Sequence, residues 1–481
     1  MSELHFPWLE ISVLLPLLGA LQVARLRRPE DEYRWSLLFQ GLTFFCAVAA
    51  WQDFELLHVV RADDRWHLLQ RVFGHPILVV DQLSAPLLPL VALQFLLTTF
   101  ATLRTKAKRF SFVSALLSES LVLATFSCQE PWVIIGLLSL ATLPPYLELR
   151  DRGRPTGVYV LHMSLFVVLM VLGWTFLSLE GQRQTHSLWA IVPLLGAVFI
   201  RSGIVPVHCW MTDLFEHATF GTALLFVTPI TGAYLAVRLV LPIAPDWVLH
   251  SIGLISLITA VYAAGMALVQ REARRFFCYL FLSHSALVLV GLEMVTPIGL
   301  TGALCVWLSV GLSLVGFGLT LRALEARRGR LMLRDFQGLY EHTPTLAVCF
   351  GLTGLASVGF PGTVGFVGME LLVDGAVESY PFIGAAVVVA AALNGIAIVQ
   401  VYFRIFTGTR HQSSVSLGIG RREQIAVLSM AALILVGGVV PQPGVATRHR
   451  AAEELLRQRA DQIGMPRPAS HDEHHGHDEE L

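Results

Sequence analysis

Six ionisable residues stand in or against long apolar runs: Arg201, His208, His217, Arg274, His284 and Glu370. A charge near the middle of a bilayer costs about 2.5–3.5 kcal/mol on insertion scales, so it is kept for a partner or a pathway. The chemistry open to this set is proton exchange. Histidine titrates near neutrality without help. A glutamate in an apolar site has its pKa raised toward that range, which makes Glu370 the intramembrane acid of the set. Arginine holds its proton throughout, so Arg201 is either a fixed charge that gates an ion path or a structural arginine paired with Asp213 or Glu216. His284, between Ser283 and Ser285 inside an apolar helix, is a proton-path group or a hydrogen-bonded core histidine. His208 and His217 flank a helix break as proton-entry groups or caps, and Arg274 at a helix start is a relay member or a topology signal.

These residues need membrane helices to hold them. Of the 481 residues 54% are hydrophobic and 14% charged, with mean hydropathy +0.64, against about 25% charged in soluble chains. The pattern is that of an all-α polytopic membrane protein. A net charge of −1 and the lack of a basic stripe with interleaved aromatics exclude a nucleic-acid partner. Six scattered cysteines without CxxC spacing suggest neither a disulfide framework nor an iron–sulfur site, and no metal or cofactor ligand set is read. The start, Met-Ser-Glu-Leu-His-Phe, lacks a basic signal-peptide region, so the first helix is expected to stay.

Apolar runs long enough to span, about 20 residues each, fall near 8–25, 35–55, 82–103, 110–128, 131–149, 156–178, 188–206, 218–241, 249–270, 276–294, 298–324, 343–361, 381–404 and 424–440. That predicts fourteen transmembrane helices. Alternate loops on one side carry 22 Lys and Arg, while the short loops on the other carry four, Arg61, Arg65, Arg71 and Arg183. The positive-inside rule then puts both termini outside the cytoplasm. Gly203 and Pro206 predict one broken helix, with Pro229 interrupting the next run, and 358–370 predicts another. Two such breaks suit an inverted-repeat bundle. Residues 1–109 read as helices 1–3, 110–440 as the conducting core and 441–481 as a polar tail. The tail opens as an amphipathic helix lying on the membrane. It ends in a disordered stretch whose His471, His474, His475 and His477 form a solvated tail or a loose metal site.

Several motifs now converge. Val79-Val-Asp-Gln-Leu-Ser-Ala resembles the "VDGLS" entry to a third helix, and Pro206-Val-His-Cys-Trp with Asp213 resembles "PFHTWLPDA". Thr231-Gly-Ala-Tyr with Arg238, and Met266-Ala-Leu-Val-Gln followed by Arg274-Arg275, Tyr279 and Ser283-His284, match two further segments. Ala356-Ser-Val-Gly-Phe-Pro-Gly-Thr-Val-Gly-Phe-Val-Gly resembles "ASLGLPGTxxFVGE"; Phe6-Pro-Trp-Leu and Pro441-Gln-Pro match the ends. In this order the motifs resemble the antiporter-like membrane subunits of respiratory complex I, closest to subunit M (chain 4). The departures are chemical. The helix matched by Val133–Tyr146 lacks the family's glutamate and has acids only at its ends, Glu130 and Glu148. The family's lysine before "TGAY" is missing from 220–230, and its histidine is missing from 302–319. Two further lysines fall on Arg201 and Arg274. The acid after "FVG" moves from Met369 to Glu370.

The resemblance implies a proton-translocating subunit in the bacterial inner membrane, working with other membrane subunits and carrying no cofactor. The chain has no nucleotide, flavin or quinone motif, so electron transfer would belong to partners and enzyme activity to the whole assembly at most. The departures leave other readings open: a membrane subunit energising inorganic-carbon uptake, a cation/proton antiporter, or a scaffold that no longer conducts.

Overall fold

The computed structural model describes residues 2–67, 71, 74, 76–103, 110–181, 186–292, 294–409 and 418–463. Arg109, Arg183 and the four tail histidines therefore lie outside the described residues.

Helices dominate, and their burial sorts them into layers. Three segments form the centre. They are the run Phe220–Val240, the helix Ala273–Leu292 and the 32-residue helix Pro297–Arg328, with 94%, 89% and 89% of their apolar windows buried. A helix apolar all round belongs inside a bundle. The outer layer includes Gly157–Glu180 and Pro381–Phe406, only 28% and 33% buried. Along Gly157–Glu180 the exposed residues include the series Leu161, Leu165, Val168, Leu172, Phe176 and Leu179, spaced three and four apart. That stripe is apolar because lipid replaces water as its solvent. The chain is thus a multi-pass membrane protein.

In chain order the helices are α1 Trp8–Val23, α2 Pro29–Leu57, α3 Leu87–Phe100, α4 Phe112–Phe126, α5 Pro131–Leu140, α6 Leu143–Asp151, α7 Gly157–Glu180, α8 Leu188–Ser202, α9 Cys209–His217, α10 Phe220–Val227 and α11 Thr231–Leu235. A π-helical turn at Ala236–Val240 follows, then α12 Asp246–Leu268, α13 Ala273–Leu292, α14 Pro297–Arg328, α15 Pro344–Ser357, α16 Val364–Ser379, α17 Pro381–Phe406, α18 Arg421–Val439 and α19 Gln442–Ile463. The apolar runs of the sequence map onto these helices with ends shifted by a few residues. In the run 131–149, helical bonding pauses at Ala141–Thr142, just before Pro144 and Pro145, whose missing N–H groups cannot continue it.

One end of the bundle is closed by a small sheet and α19. Strand β1 (Ser2–Glu3) pairs parallel with β2 (Arg61–Asp63), which pairs antiparallel with β3 (Val79–Asp81) in the register Arg61↔Asp81. Beside it, the Asp64 carboxylate accepts the Glu10 amide N–H at 2.6 Å. Burial pushes the Asp64 carboxyl up to about 6, the Glu10 carboxylate adding to the rise and the backbone N–H groups of Glu10 and Arg65 opposing it. The amphipathic helix expected in the tail does form, but it docks on protein. Its buried face holds Ala451, Ala452, Leu455 and Leu456, and its buried Arg448 and Arg459 donate to the Gln82, Leu83 and Leu241 carbonyls. Both ends of the described chain therefore sit at the same end of the bundle.

Candidate functional site

The irregular segments between the apolar helices are where side-chain chemistry gathers. α8 closes on Gly203, whose φ of 71° is the left-handed value that glycine reaches without strain. Residues 203–208 then run irregularly to α9. Their backbone is covered by protein: Val205 N–H donates to Thr259 Oγ1 at 3.2 Å and the Trp210 indole to the Ile200 carbonyl at 2.7 Å. Between α10 and α11, Ile230 holds φ 52°, a strained value for a β-branched residue. There the Trp307 indole donates to the Pro229 carbonyl at 3.3 Å, and Thr228 donates to the Gln94 side chain at 3.2 Å. Irregular backbone survives at membrane depth only when so covered. A third such segment, 358–363, separates α15 from α16.

α13 brings these segments together. His284 is 1% exposed, and its Nδ1 bonds the Leu280 carbonyl at 2.7 Å. A carbonyl only accepts, so Nδ1 carries a proton there. The ring faces the backbone of Ser357, the last residue of α15. The neighbouring Ser285 hydroxyl donates to the Ser202 carbonyl, at the end of α8, at 3.4 Å. On the other side Ser283 donates to the Ala260 carbonyl and accepts from the Asn394 amide, both at 2.8 Å. One turn of α13 thus joins the start of the 203–208 interruption to the start of the 358–363 interruption. Gly232 is required in this packing, since a Cβ there would overlap Ser202 Oγ.

Arg201, the residue before Ser202, is 6% exposed. It is paired with neither Asp213 nor Glu216, the carboxylates nearest it in sequence. Its guanidinium donates to the Phe226 carbonyl at 2.9 Å and lies 4.0 Å from the Phe226 ring centroid and 5.8 Å from that of Trp210. Phe226 lies in the last turn of α10, where exposed carbonyls give a partial negative charge. Asp213 instead bonds His217 at 3.2 Å and Glu216 bonds Arg275 at 2.6 Å, because α9 turns both away from the core.

His208, the residue before α9, is half-buried, with its ring centroid 6.0 Å from that of Tyr262 and 6.1 Å from that of Tyr279. His217 and Arg274 line a cavity of about 310 Å3 at the Arg-rich face, together with Arg152, Arg322 and Glu325. Arg274 there is fully engaged: it forks onto Glu325 and donates to the Phe215 and Ala218 carbonyls, each at 3.0 Å. Glu370 is turned out of the bundle. It is exposed on α16, as are Asp374 and Glu378, because the one-residue step from Met369 rotates the side chain by about 100° about the helix axis. Met369 takes the buried place instead.

Three further charged sites were not among the sequence candidates. Glu119 lies in the middle of α4, fully buried. Its signature is that of Arg201, an ionisable residue inside an apolar run, which the acid-free helix over 133–146 eclipsed. Asp81 and Arg238 form a buried pair at 2.7 Å, extended by Gln129 at 2.9 Å. Arg322 is half-buried on α14 and donates to the Thr98 carbonyl and Thr102 hydroxyl.

The comparisons with known proteins follow the same lines. Residues 156–394 match the family described as NADH:quinone oxidoreductase/Mrp antiporter, TM. The NAD(P)H-quinone oxidoreductase chain 4 1 of Synechococcus elongatus is 27% identical over 453 residues, covering 85% of this chain and 83% of that protein. A chain of respiratory complex I from Thermus thermophilus superposes with a TM-score of 0.81 at 23% identity, covering 94% of this chain and 99% of that one. A chain of the Mrp complex from Dietzia sp. gives 0.80 at 19% identity, covering 95% and 98%. Over residues 156–394 the chain thus carries the NADH:quinone oxidoreductase/Mrp antiporter membrane domain, and along most of its length it is similar to antiporter-like membrane subunits of that family.

Proposed function

We propose that this chain is the antiporter-like, proton-translocating membrane subunit of a complex I-type assembly. The observation that carries the reading is the turn Ser283-His284-Ser285, which joins two interruptions of the helical backbone beside a buried Arg201. Such interruptions take carbonyl and N–H groups out of the helical bonding pattern, so that side chains or a proton carrier can bond them. His284 exchanges the proton, and Arg201 is a fixed positive charge that discourages a second cation. His208 and His217 belong to the cytoplasmic approach, with Arg274 fixing the wall of the entry cavity.

Fourteen spans suit this reading. Among the described residues nine helices are long and apolar enough to cross, and five shorter apolar helices bring the set to fourteen. Two of the spans are broken, at 203–208 and 358–363, and residues 110–440 form the conducting core. Partner subunits are expected to cover the outer face of α16, where Glu370, Asp374 and Glu378 are exposed one turn apart; lipid cannot solvate such a row.

The test is the complete assembly, purified with its co-purifying subunits identified and reconstituted into liposomes. His284→Ala should assemble normally and lower proton uptake at least about tenfold, roughly 1.4 kcal/mol of barrier. Full uptake by an assembled His284→Ala complex would leave the scaffold reading in its place.

A further inference from the structure

Glu119 is the eighth of the fifteen residues of α4, so at 1.5 Å per residue it lies about 10 Å from either end of the helix. That is mid-depth in an apolar bundle, where an ionised group is most costly. Its side chain is fully buried, and neither carboxyl oxygen has a hydrogen-bond partner. Beside it, from α2, stands Gln40, also fully buried, whose amide is the one polar side chain that faces the Glu119 carboxyl among the described residues. The adjacent Ser120 hydroxyl is taken by the Val13 carbonyl at 2.8 Å.

Among the described residues no arginine bonds this acid. The buried arginines among them are engaged elsewhere: Arg201 with Phe226, Arg238 with Asp81, Arg448 with Gln82 and Leu83, and Arg459 with Leu241 and Asp246, as is the half-buried Arg322 with Thr98 and Thr102. A carboxylate without a counter-charge at this depth is not sustained, and such a group takes up a proton instead. A structural role would fill the carboxyl's bonding capacity, as it does at Glu148, which accepts from Thr219 N–H at 2.7 Å and from the Thr222 hydroxyl. At Glu119 only the neutral Gln40 amide faces the carboxyl, and neither oxygen makes a bond of normal geometry.

The neighbouring helix carries a row of polar groups. α3 packs against α2, α4 and α14. It carries Gln94 and Thr98 four residues apart, with Thr102 four further on, just past its end; the Thr98 and Thr99 hydroxyls accept no hydrogen bond and, at Thr98 and Thr99 alike, have no partner at all. The ladder ends at Arg322, which bonds Thr98 and Thr102 and lines the 310 Å3 cavity with His217 and Arg274. Polar groups therefore descend from mid-depth to the Arg-rich face alongside α4.

We infer that Glu119 is a proton-exchange site of this chain, protonated at rest and loaded from the cytoplasmic cavity along α3, in place of the glutamate absent from the next helix. The step is an O–H bond broken and remade at one carboxyl oxygen, the proton passing to and from water in the cavity. The inference rests on the proton-translocating reading above.

The purified complex, treated with dicyclohexylcarbodiimide and mapped by mass spectrometry, tests it. A protonated acid in an apolar site gives its proton to a carbodiimide nitrogen as its oxygen bonds to the central carbon. Acyl migration to nitrogen then leaves a stable N-acylurea, with no leaving group. Glu119 should carry this adduct at least tenfold more than with a charged, water-soluble carbodiimide, and Glu119→Gln should abolish it. In liposomes Glu119→Gln, nearly isosteric, should cut proton uptake at least tenfold, and Glu119→Asp should recover part of it. An unlabelled Glu119, or a Glu119→Gln complex that assembles and pumps fully, overturns the proposal; if that variant does not assemble, the labelling decides. A wild-type complex that labels at Glu119 but moves no protons would sink the translocating reading and leave the exchange site standing.

Discussion

Arg201 shows how a buried charge can be held without a carboxylate. Two aromatic rings and one carbonyl at a helix C-terminus share the work, and each is worth only about 1–2 kcal/mol in a dry setting. Lysine has no planar fork to lie over Phe226 while reaching the carbonyl, but it keeps the charge. Arg201→Lys should therefore lower proton uptake by about threefold and Arg201→Ala by tenfold or more, or roughly 1.4 kcal/mol of barrier. Assembly is measured first by native gel, because losing a buried group can unfold the bundle. Equal loss in both variants would mean that geometry, not charge, is what the path uses.

Among the elements, the interruptions depend on close packing. Gly232→Val would drive two methyls into Ser202 at the end of α8. Overpacking of this kind costs about 1–3 kcal/mol, which a lowered unfolding temperature of the purified chain should register. The outer sheet offers a pH test. Asp64 holds a proton more tightly in the folded chain, up to about 6, than its ordinary 3.8. The stability it contributes is thus fully present below about pH 4 and is lost as pH rises through 6, at most about 3 kcal/mol. Asp64→Asn should flatten that pH dependence of the unfolding temperature; an unchanged profile would place the titration elsewhere. What the sequence made legible was set by the same physics. Apolar runs announce their helices because length and composition suffice, and Gly203 and Pro206 announce an interruption because they cannot bond through it. The outward turn of Glu370 was not legible, because it depends on the register of α16 against α14. The partner of Arg201 was equally hidden: a carbonyl and two rings carry no charge pattern.

At the scale of the whole molecule, the two chain ends constrain the topology. β1 is bonded to β2, and α19 is bonded through Arg448 to Gln82 and Leu83, directly after β3. Arg61 with Glu454 and Arg450 with Glu55 tie the same parts together at 3.8 and 3.7 Å. Ends that meet at one face require an even number of crossings, which fourteen satisfies and thirteen does not. The side is an expectation from charge: by the sequence alternation, one set of loops carries 22 basic residues and the other, α19 apart, four, and such a bias keeps the rich side in the cytoplasm. Fluorescent-protein fusions after Arg154 and Arg422 should therefore fluoresce, and alkaline phosphatase fused at Ser2 or after Ile463 should be active. Activity at only one end would break the even count. Fluorescence from both ends would keep the bundle and invert it, placing the 310 Å3 cavity and the approach to His284 and Glu119 on the other side of the membrane.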